Sequence, residues 1–492
     1  MIFNIKKKNK KFIFFIFVII SFGIFIRFYN LNYNDMWSDE MVTFWLSDPS
    51  INLNETLNRI FISHFMVLYE IILKYFHKIF GYDVYVSRYL SLATSALSLI
   101  YFYLLTSKIS NNNSVIFAVF LLSINIYHIA YSSELRSYIL TFLLVLIFIY
   151  YNFENEYLKK KINIMFILKI NLILILMLFC HPFTLLVSGS FVVYKFLDMM
   201  INNKRNKNEF LFLTSVIVST SIFLLIYFQT TIKFHDPAVL KGEMYIDWLT
   251  QVKPSFYTNF YFSKFFGSRL LGSIYLLALI ICCIKFRKSL FQKFNIFSFF
   301  IILIIFSYSI PLLFGYIFYP IILDRYIFFV LIPILCLISH FIFQIKPKLF
   351  SYSIAILICL MTFFNHLFFE NTLRQFYTEI YPNKPEIKKV LKHINLSDNS
   401  NFTFKTDDRF EINTNEIYEN YYQKYLEKLK LKLNYISFKK QNDFPDTLWV
   451  IYLKDTTNID YNISEKFNGY KVVDRKYFNR IELYLLSNKI EW

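Results

Sequence analysis

The chain has 492 residues, of which 56% are hydrophobic and 21% aromatic, with 52 Lys and Arg against 34 Asp and Glu. Its mean hydropathy of +0.43 is too high for a soluble globular chain, and 8 Gly and 11 Pro leave no room for collagen, low-complexity linkers or Gly-rich phosphate loops. What remains is an integral membrane protein with many spans.

The net charge of +18 would suggest a nucleic-acid partner in a soluble protein. Here residues 370–492 hold 20 basic and 18 acidic side chains, so nearly all of the surplus lies in short loops between apolar runs. That distribution argues against nucleic acid. Cys180, Cys282, Cys283, Cys336 and Cys359 lie in or beside apolar runs, without metal-type spacing or a disulfide framework, and read as core residues.

In chain order, the lysine-rich stretch from Lys6 to Lys11 precedes an apolar run at 12–30 with no small-residue cleavage site after it, which predicts an uncleaved first helix. Further runs at 88–107, 115–131, 137–153, 163–180, 183–200, 210–229, 269–285, 295–314, 326–344 and 350–369 bring the expected spans to about eleven. Alternate loops carry Lys108, Lys159 to Lys161, Lys204 to Lys207, Lys285 to Lys293, and Lys346 with Lys348. These basic clusters all fall on one side, which the positive-inside rule makes cytoplasmic, together with the N-terminus. Counting 65–80 as a span would break that pattern. It is expected instead to be an amphipathic helix on the outer surface, with Glu70, Lys74, His77 and Lys78 as its polar positions.

The opposite face then receives the loops 31–87 and 230–268 and the tail 370–492. In the tail, 384–394 and 416–432 read as helices, and Leu448–Leu453 and Ile481–Leu486 as strands. The expected fold is therefore a polytopic α-helical membrane module over 1–369 with a C-terminal extracytoplasmic α/β domain over 370–492.

On this map several ionisable residues gather at the outer ends of the helices, where such groups are costly and default site candidates. Asp39-Glu40 follows the first span. Adjacent helix positions diverge by about 100°, so one carboxylate can act on a substrate while the other makes a structural bond; a plain helix start capped by Ser38 is the competing reading. Ser63-His64 opens the surface helix. Tyr131-Ser132-Ser133-Glu134-Leu135-Arg136-Ser137-Tyr138 joins two spans in a short turn that holds a carboxylate and a guanidinium two residues apart. His181-Pro182 ends the fifth span, and Asp324-Arg325-Tyr326 places an arginine where the positive-inside bias disfavours one. Cations of this kind can stabilise a phosphate leaving group, and a carboxylate can activate a hydroxyl.

The order of these motifs resembles that of bacterial members of the protein-mannosyltransferase and aminoarabinose-transferase superfamily, glycosyltransferases of the GT-C fold that use polyprenyl-phosphate sugars. The matching pieces are Trp37-Ser38-Asp39-Glu40, His64 with Leu68-Tyr69, Arg88, the stretch Tyr131 to Tyr138, His181, Trp248, and Arg325-Tyr326 followed by Pro333. They cover about residues 10 to 345. The resemblance implies Asp39 as catalytic base, with Glu134 positioning substrate. It implies His64 facing the donor phosphate, and Arg325 and Tyr326 near the donor headgroup. The candidate catalytic set is thus Asp39, Glu40 and Glu134, and the candidate donor- or substrate-binding set is His64, Arg88, Arg136, Tyr138, His181, Arg325 and Tyr326. Where the family has His-Pro-Pro-Leu, this chain has His64-Phe65-Met66-Val67, so the local backbone is less fixed.

The expected activity is inverting transfer of a sugar from a polyprenyl-phosphate donor to a lipid, glycan or protein hydroxyl. The expected place is the outer face of a bacterial inner membrane, with membrane lipids around the helices. No nucleotide-diphosphate site calls for a metal, but some enzymes of this fold use a divalent cation near their acids, so that cofactor stays open. A lipid or glycan transporter, a non-catalytic envelope scaffold, and a hydrolase using two carboxylates are the competing classes.

Overall fold

The computed structural model describes residues 10–29, 31–63, 66–157, 162–202, 207–234, 254–291, 295–365, 384–397, 399–405, 414–436, 444–453, 467 and 469–489. Among the described residues, each of the eleven apolar runs carries helix. In chain order the long helices are α1 (Lys10–Phe28), then α2 (Ser38–Leu46), α3 (Leu53–Ser63) and α4 (Val67–Phe80) in the first loop, and α5 (Arg88–Ile109), α6 (Asn112–Ser123), α7 (Ile126–Ser132), α8 (Tyr138–Tyr157), α9 (Ile164–Cys180), α10 (Leu185–Ile201), α11 (Lys207–Phe234), α12 (Arg269–Lys285), α13 (Ile296–Ile317), α14 (Leu331–Ile342) and α15 (Lys348–Phe364). Among the described residues seven helical segments are long and apolar enough to cross a membrane, or eight if α6 and α7, bent by 53°, form one span.

Asparagines start many of these helices. Asn111, Asn125, Asn163 and Asn295 each accept a backbone N–H of the first turn, satisfying a donor that the helix itself cannot. Helix α14, apolar but for Ser339 and His340, is buried at all 12 of its positions, as a helix apolar nearly all round is at the centre of a bundle. The periphery is the reverse: Phe14 and Phe17 on α1 and Leu225, Phe228 and Ile232 on α11 stand outward and exposed, a surface that suits lipid and not water.

The bend between α6 and α7 frees the Ser123 carbonyl inside the bundle. The Arg27 guanidinium on α1 donates there, to the Ser123 carbonyl at 2.7 Å and to the Leu122 carbonyl at 3.0 Å, the latter shared with the Asn125 N–H at 3.2 Å. It also donates to the Gly23 carbonyl at 2.7 Å and lies 2.9 Å from His128 Nδ1. Gly23 permits this crossing, because a Cβ there would lie 2.9 Å from the Ser123 Cβ.

The C-terminal part is the expected α/β domain, with helices α16 (Ile387–Asn395) and α17 (Thr414–Leu429), and its two expected strands are joined by three more in a five-stranded mixed sheet. Its strands are β1 (Asn401–Lys405), β2 (Asn434–Tyr435), β3 (Thr447–Leu453), β4 (Lys471–Phe478) and β5 (Ile481–Ser487), ordered β2-β1-β3-β5-β4. β1 runs parallel to β2 and β3, and β5 antiparallel to β3 and β4. This unit shares a core with the first loop: Met41, Phe44, Trp45, Tyr69 and Leu73 join Val390, Ile394, Tyr421, Tyr425 and Trp449. Polar ties cross the same seam, from Arg59 to Glu416 (2.9 Å), Tyr82 to Asn420 (2.7 Å) and Lys428 to Asp83 (2.9 Å).

Helix α4 reverses one expectation. Its polar positions Glu70, Lys74 and His77 are buried, while Tyr75, Ile79 and Phe80 are exposed beside Lys78. The buried groups have inward work to do. Lys74 Nζ donates to the carbonyls of Asp48 and Ile51, at 2.5 and 2.7 Å, where the chain leaves α2. His77 bridges the Ser47 carbonyl (3.1 Å) and Ser87 Oγ (2.8 Å), and burial holds its pKa down near 4, so it is neutral. A helix whose apolar side faces out suits a membrane surface rather than water.

The helix directions put α2 to α4 and the sheet at one end of the bundle. The Lys108–Glu154 pair (3.1 Å) and the Lys195–Glu209 pair (3.6 Å) lie at the other.

Candidate active site

At the sheet end, Trp37 caps α2 and its backbone N–H donates to Glu40 at 3.0 Å. Asp39 and Glu40 then diverge, as neighbours on a helix must. Glu40 turns inward and is buried, receiving Arg88 Nη2 at 3.2 Å, the Leu135 N–H at 3.0 Å and Lys384 Nζ at 3.1 Å. Burial alone would raise its pKa, but the two cations and two N–H groups outweigh it and hold Glu40 down to about 2. Both of its oxygens are committed, so Glu40 is a clamp rather than a base. Arg88 is likewise committed: it is buried, donates to the Asn34 carbonyl at 2.5 Å and pairs with Glu40. It therefore faces the clamp and not the open side of the site.

Asp39 turns the other way, with 40% of its side chain exposed. Arg325 Nη1 stands 3.7 Å from its Oδ2. Arg136 Nη1 donates to the Asp39 carbonyl at 3.3 Å and to Thr43 Oγ1 at 3.2 Å. Burial opposes the charge on Arg136, yet Asp39 and Tyr138 keep its pKa above the ordinary arginine value. The Tyr138 ring is within cation–π reach of both guanidinium groups, 5.8 Å from Arg136 and 5.9 Å from Arg325. His181 packs 5.5 Å from Tyr138 and 5.2 Å from Tyr326, centroid to centroid. Its Nδ1 accepts the Phe183 N–H at 3.2 Å, which leaves the proton of the neutral ring on Nε2.

Asp39, Arg136, Tyr138, His181, Arg325 and Tyr326, drawn from four separate stretches of sequence, thus form one cluster. Within it the Tyr138 hydroxyl, Arg136 Nε and Arg325 Nε are buried with no hydrogen-bond partner among the described residues, which is the condition of a site that a polar ligand completes. Glu134 stands beside the cluster, 23% exposed, and accepts from Lys384 Nζ at 2.8 Å. His64, Trp248 and residues 235–253 of the loop 230–268 lie outside the described residues.

Sequence reading missed Lys384, which comes from the tail and carries no motif that marks it. It also missed Glu70 as a buried group under Arg136; its i, i+4, i+7 spacing with Lys74 and His77 was visible but pointed to the wrong side. Among the described residues no three His, Cys, Asp or Glu side chains gather as a metal site. The Lys384 ammonium lies between Glu40 and Glu134, and these residues do not fit a divalent cation bridging the two acids.

No protein-family model and no curated protein sequence matches the chain. Solved structures do. The apo form of ArnT from Cupriavidus metallidurans superposes with a TM-score of 0.58 at 10% identity, over 95% of this chain and 97% of that one. The same protein bound to undecaprenyl phosphate gives 0.52 at 11% identity over the same shares. The chain has the GT-C fold. The apo oligosaccharyltransferase of Archaeoglobus fulgidus gives a TM-score of 0.50 at 11% identity, over 84% of this chain and 60% of that one. With its outward apolar helices, this GT-C chain is a polytopic membrane protein.

Proposed function

We propose that the protein is a membrane glycosyltransferase that moves a sugar from a polyprenyl-phosphate donor to an acceptor hydroxyl, inverting the anomeric centre, with Asp39 as base. The observation that carries this reading is the juxtaposition of one half-exposed carboxylate, Asp39, with two guanidinium groups, Arg325 and Arg136, at the end of a membrane bundle. The GT-C fold supports it, since a neighbour of that fold has been crystallised with undecaprenyl phosphate.

The chemistry follows from charge. The acceptor O–H gives its proton to Asp39 as its oxygen attacks the anomeric carbon, and the bond from that carbon to the phosphate oxygen breaks. The donor phosphodiester carries one negative charge and the departing phosphomonoester two. Arg136 and Arg325 are placed to take up the additional charge, and fixed cations do so without reorganising at the moment of reaction. Tyr138 and the Nε2–H of His181 supply neutral donors on the same wall, and Tyr326 an aromatic face for a sugar ring. Glu134 positions the acceptor or sugar. On the charge pattern of the loops, the site and the sheet domain face away from the cytoplasm, in a bacterial inner membrane.

The test compares lipid-linked and envelope glycans by mass spectrometry in wild type, a deletion strain and a normally expressed Asp39→Asn strain. Loss of the same sugar mass from both mutants is expected, and that mass names the sugar. Retention in Asp39→Asn alone would remove Asp39 as base. Retention in both would remove the glycosyltransferase reading.

A further inference from the structure

Lys384, the first described residue of the C-terminal domain, is held with more care than a linker needs. Lys384 precedes Pro385, which restricts it to extended backbone. Its carbonyl accepts Asn479 Nδ2 at 2.7 Å. Asn479 lies in the two-residue turn between β4 and β5, and its N–H donates to Glu386 Oε2 at 2.9 Å while its carbonyl accepts the Glu386 N–H at 3.3 Å. The next residue of the turn, Arg480, lays its guanidinium over the Trp37 ring at 5.0 Å. One step further, the Lys388 N–H at the start of α16 donates to Asp35 Oδ2 at 2.7 Å, and Tyr425 on α17 donates to the other oxygen of Asp35. The hairpin turn and two helices of the C-terminal domain thus grip residues 35–37 and aim one side chain inward.

That side chain reaches the clamp. Lys384 Nζ lies 3.1 Å from Glu40 Oε2 and 2.8 Å from Glu134 Oε1. Glu40 is on α2, next to Asp39. Glu134 is in the turn that carries Arg136. The groups facing this point are Glu40, Glu134 and Arg88, with Asp35 and Tyr421 beyond Arg88 and Tyr69 beyond Glu40. Two acids and two cations leave the cluster electrically balanced. Remove the lysine and the buried Glu40 and partly exposed Glu134 are left with Arg88 alone, so the two carboxylates, no longer sharing a cation, repel one another and push α2 and the turn apart.

We infer that Lys384 is a positioning residue of the active site: the C-terminal domain delivers it to pin α2 and the turn 133–137 together, and so sets the distance between Asp39 and Arg136. This rests on the glycosyltransferase reading for its consequence in activity, but not for the geometry it asserts. It gives the C-terminal domain a role in completing the site rather than covering it.

The experiment uses the full-length protein in detergent, as wild type, Lys384→Met, Lys384→Arg and Glu134→Gln. Hydrogen–deuterium exchange reads peptides covering 36–46 and 133–137, with the strands 447–453 and 481–487 as the internal measure of domain folding. Glycan mass spectrometry of cells expressing each variant reads the activity. Lys384→Met is expected to speed exchange at least tenfold in both site peptides, to leave the strands protected, and to cut the glycan at least tenfold. Lys384→Arg is expected to restore both readouts, and Glu134→Gln to loosen 133–137 while sparing 36–46. Unchanged exchange at 36–46 and 133–137 in Lys384→Met overturns the inference. So does loosening of the strands in step with the site, which marks a general structural role, and so does a normal glycan despite a loosened site. If deletion and Asp39→Asn both leave the glycans intact, the glycosyltransferase reading fails, and the exchange data still decide whether Lys384 pins the two segments.

Discussion

Glu40 and Lys384 meet at 3.1 Å across 344 residues of sequence. Their pairing joins the first loop of the chain to its last domain, and it does so in a buried place where an uncompensated charge is expensive.

Replacing Glu40 by Gln leaves Arg88 and Lys384 without their shared anion, and breaking a buried pair from one side costs about 3–5 kcal/mol. Thermal unfolding of the purified protein near pH 7 should show that loss. The pH dependence has a definite sign. The folded pKa of Glu40 lies near 2, below its ordinary 4.5, so its contribution is complete above about pH 4.5 and is lost as pH falls toward 2. The wild-type melting temperature should fall through that window from this group, and the Glu40→Gln variant should lack that part of the fall.

Glu70 predicts the opposite slope. Burial raises its pKa to about 8, with Arg136 acting against the rise. A carboxyl that holds its proton more firmly when folded costs stability as pH rises from about 4.5 to 8. Glu70→Gln keeps the shape and removes the titration. Its melting temperature should exceed that of wild type at pH 8, and the difference should close toward pH 4.5.

These two glutamates also show what a sequence can and cannot disclose. Apolar runs are long-range signals, and among the described residues they are helical, one of them broken into α6 and α7, because a run in lipid or in the core must satisfy its own backbone groups. The Asp39-Glu40 divergence was legible for the same reason: helix geometry forces adjacent side chains apart. The gathering of Arg136, Tyr138, His181, Arg325 and Tyr326 was anticipated from loop position and motif order. Which face of α4 turns inward was not legible, because its polar and apolar positions are both extensive and the deciding partners, such as the carbonyls of Asp48 and Ile51, are backbone groups with no signature. Lys384 was invisible for a different reason. A lysine becomes a clamp only when a fold brings two distant carboxylates to it.

Arg27 makes a prediction within the bundle. Its guanidinium satisfies the Ser123 carbonyl at the α6–α7 bend and adds a second donor to the Leu122 carbonyl, which also accepts the Asn125 N–H. A buried polar group left unmatched costs about 1–3 kcal/mol. Arg27→Met, which keeps much of the length and none of the donors, should therefore lower thermal stability in detergent by a few kcal/mol and increase hydrogen exchange at 122–128. A melting temperature equal to wild type would mean that the bend does not depend on this arginine.

Arg325 separates charge stabilisation from base catalysis. It stands 3.7 Å from Asp39 and shares the Tyr138 ring with Arg136, so it is placed to meet the phosphate as the second negative charge develops. Removing one preorganised donor of this kind costs about 10²–10³ in turnover. Arg325→Gln should show a fall of that size in kcat, with a smaller change in donor KM, because the donor carries one charge before the bond breaks and two after it. Arg325→Lys should recover part of the loss, since it restores a positive charge but not the planar fork that grips a phosphate through two bonds. The measurement is initial rate against donor concentration in membranes, using the lipid-linked sugar whose mass the deletion strain identifies. If instead donor KM rises while kcat stays level, Arg325 holds the ground-state phosphate and the departing charge is met by Arg136.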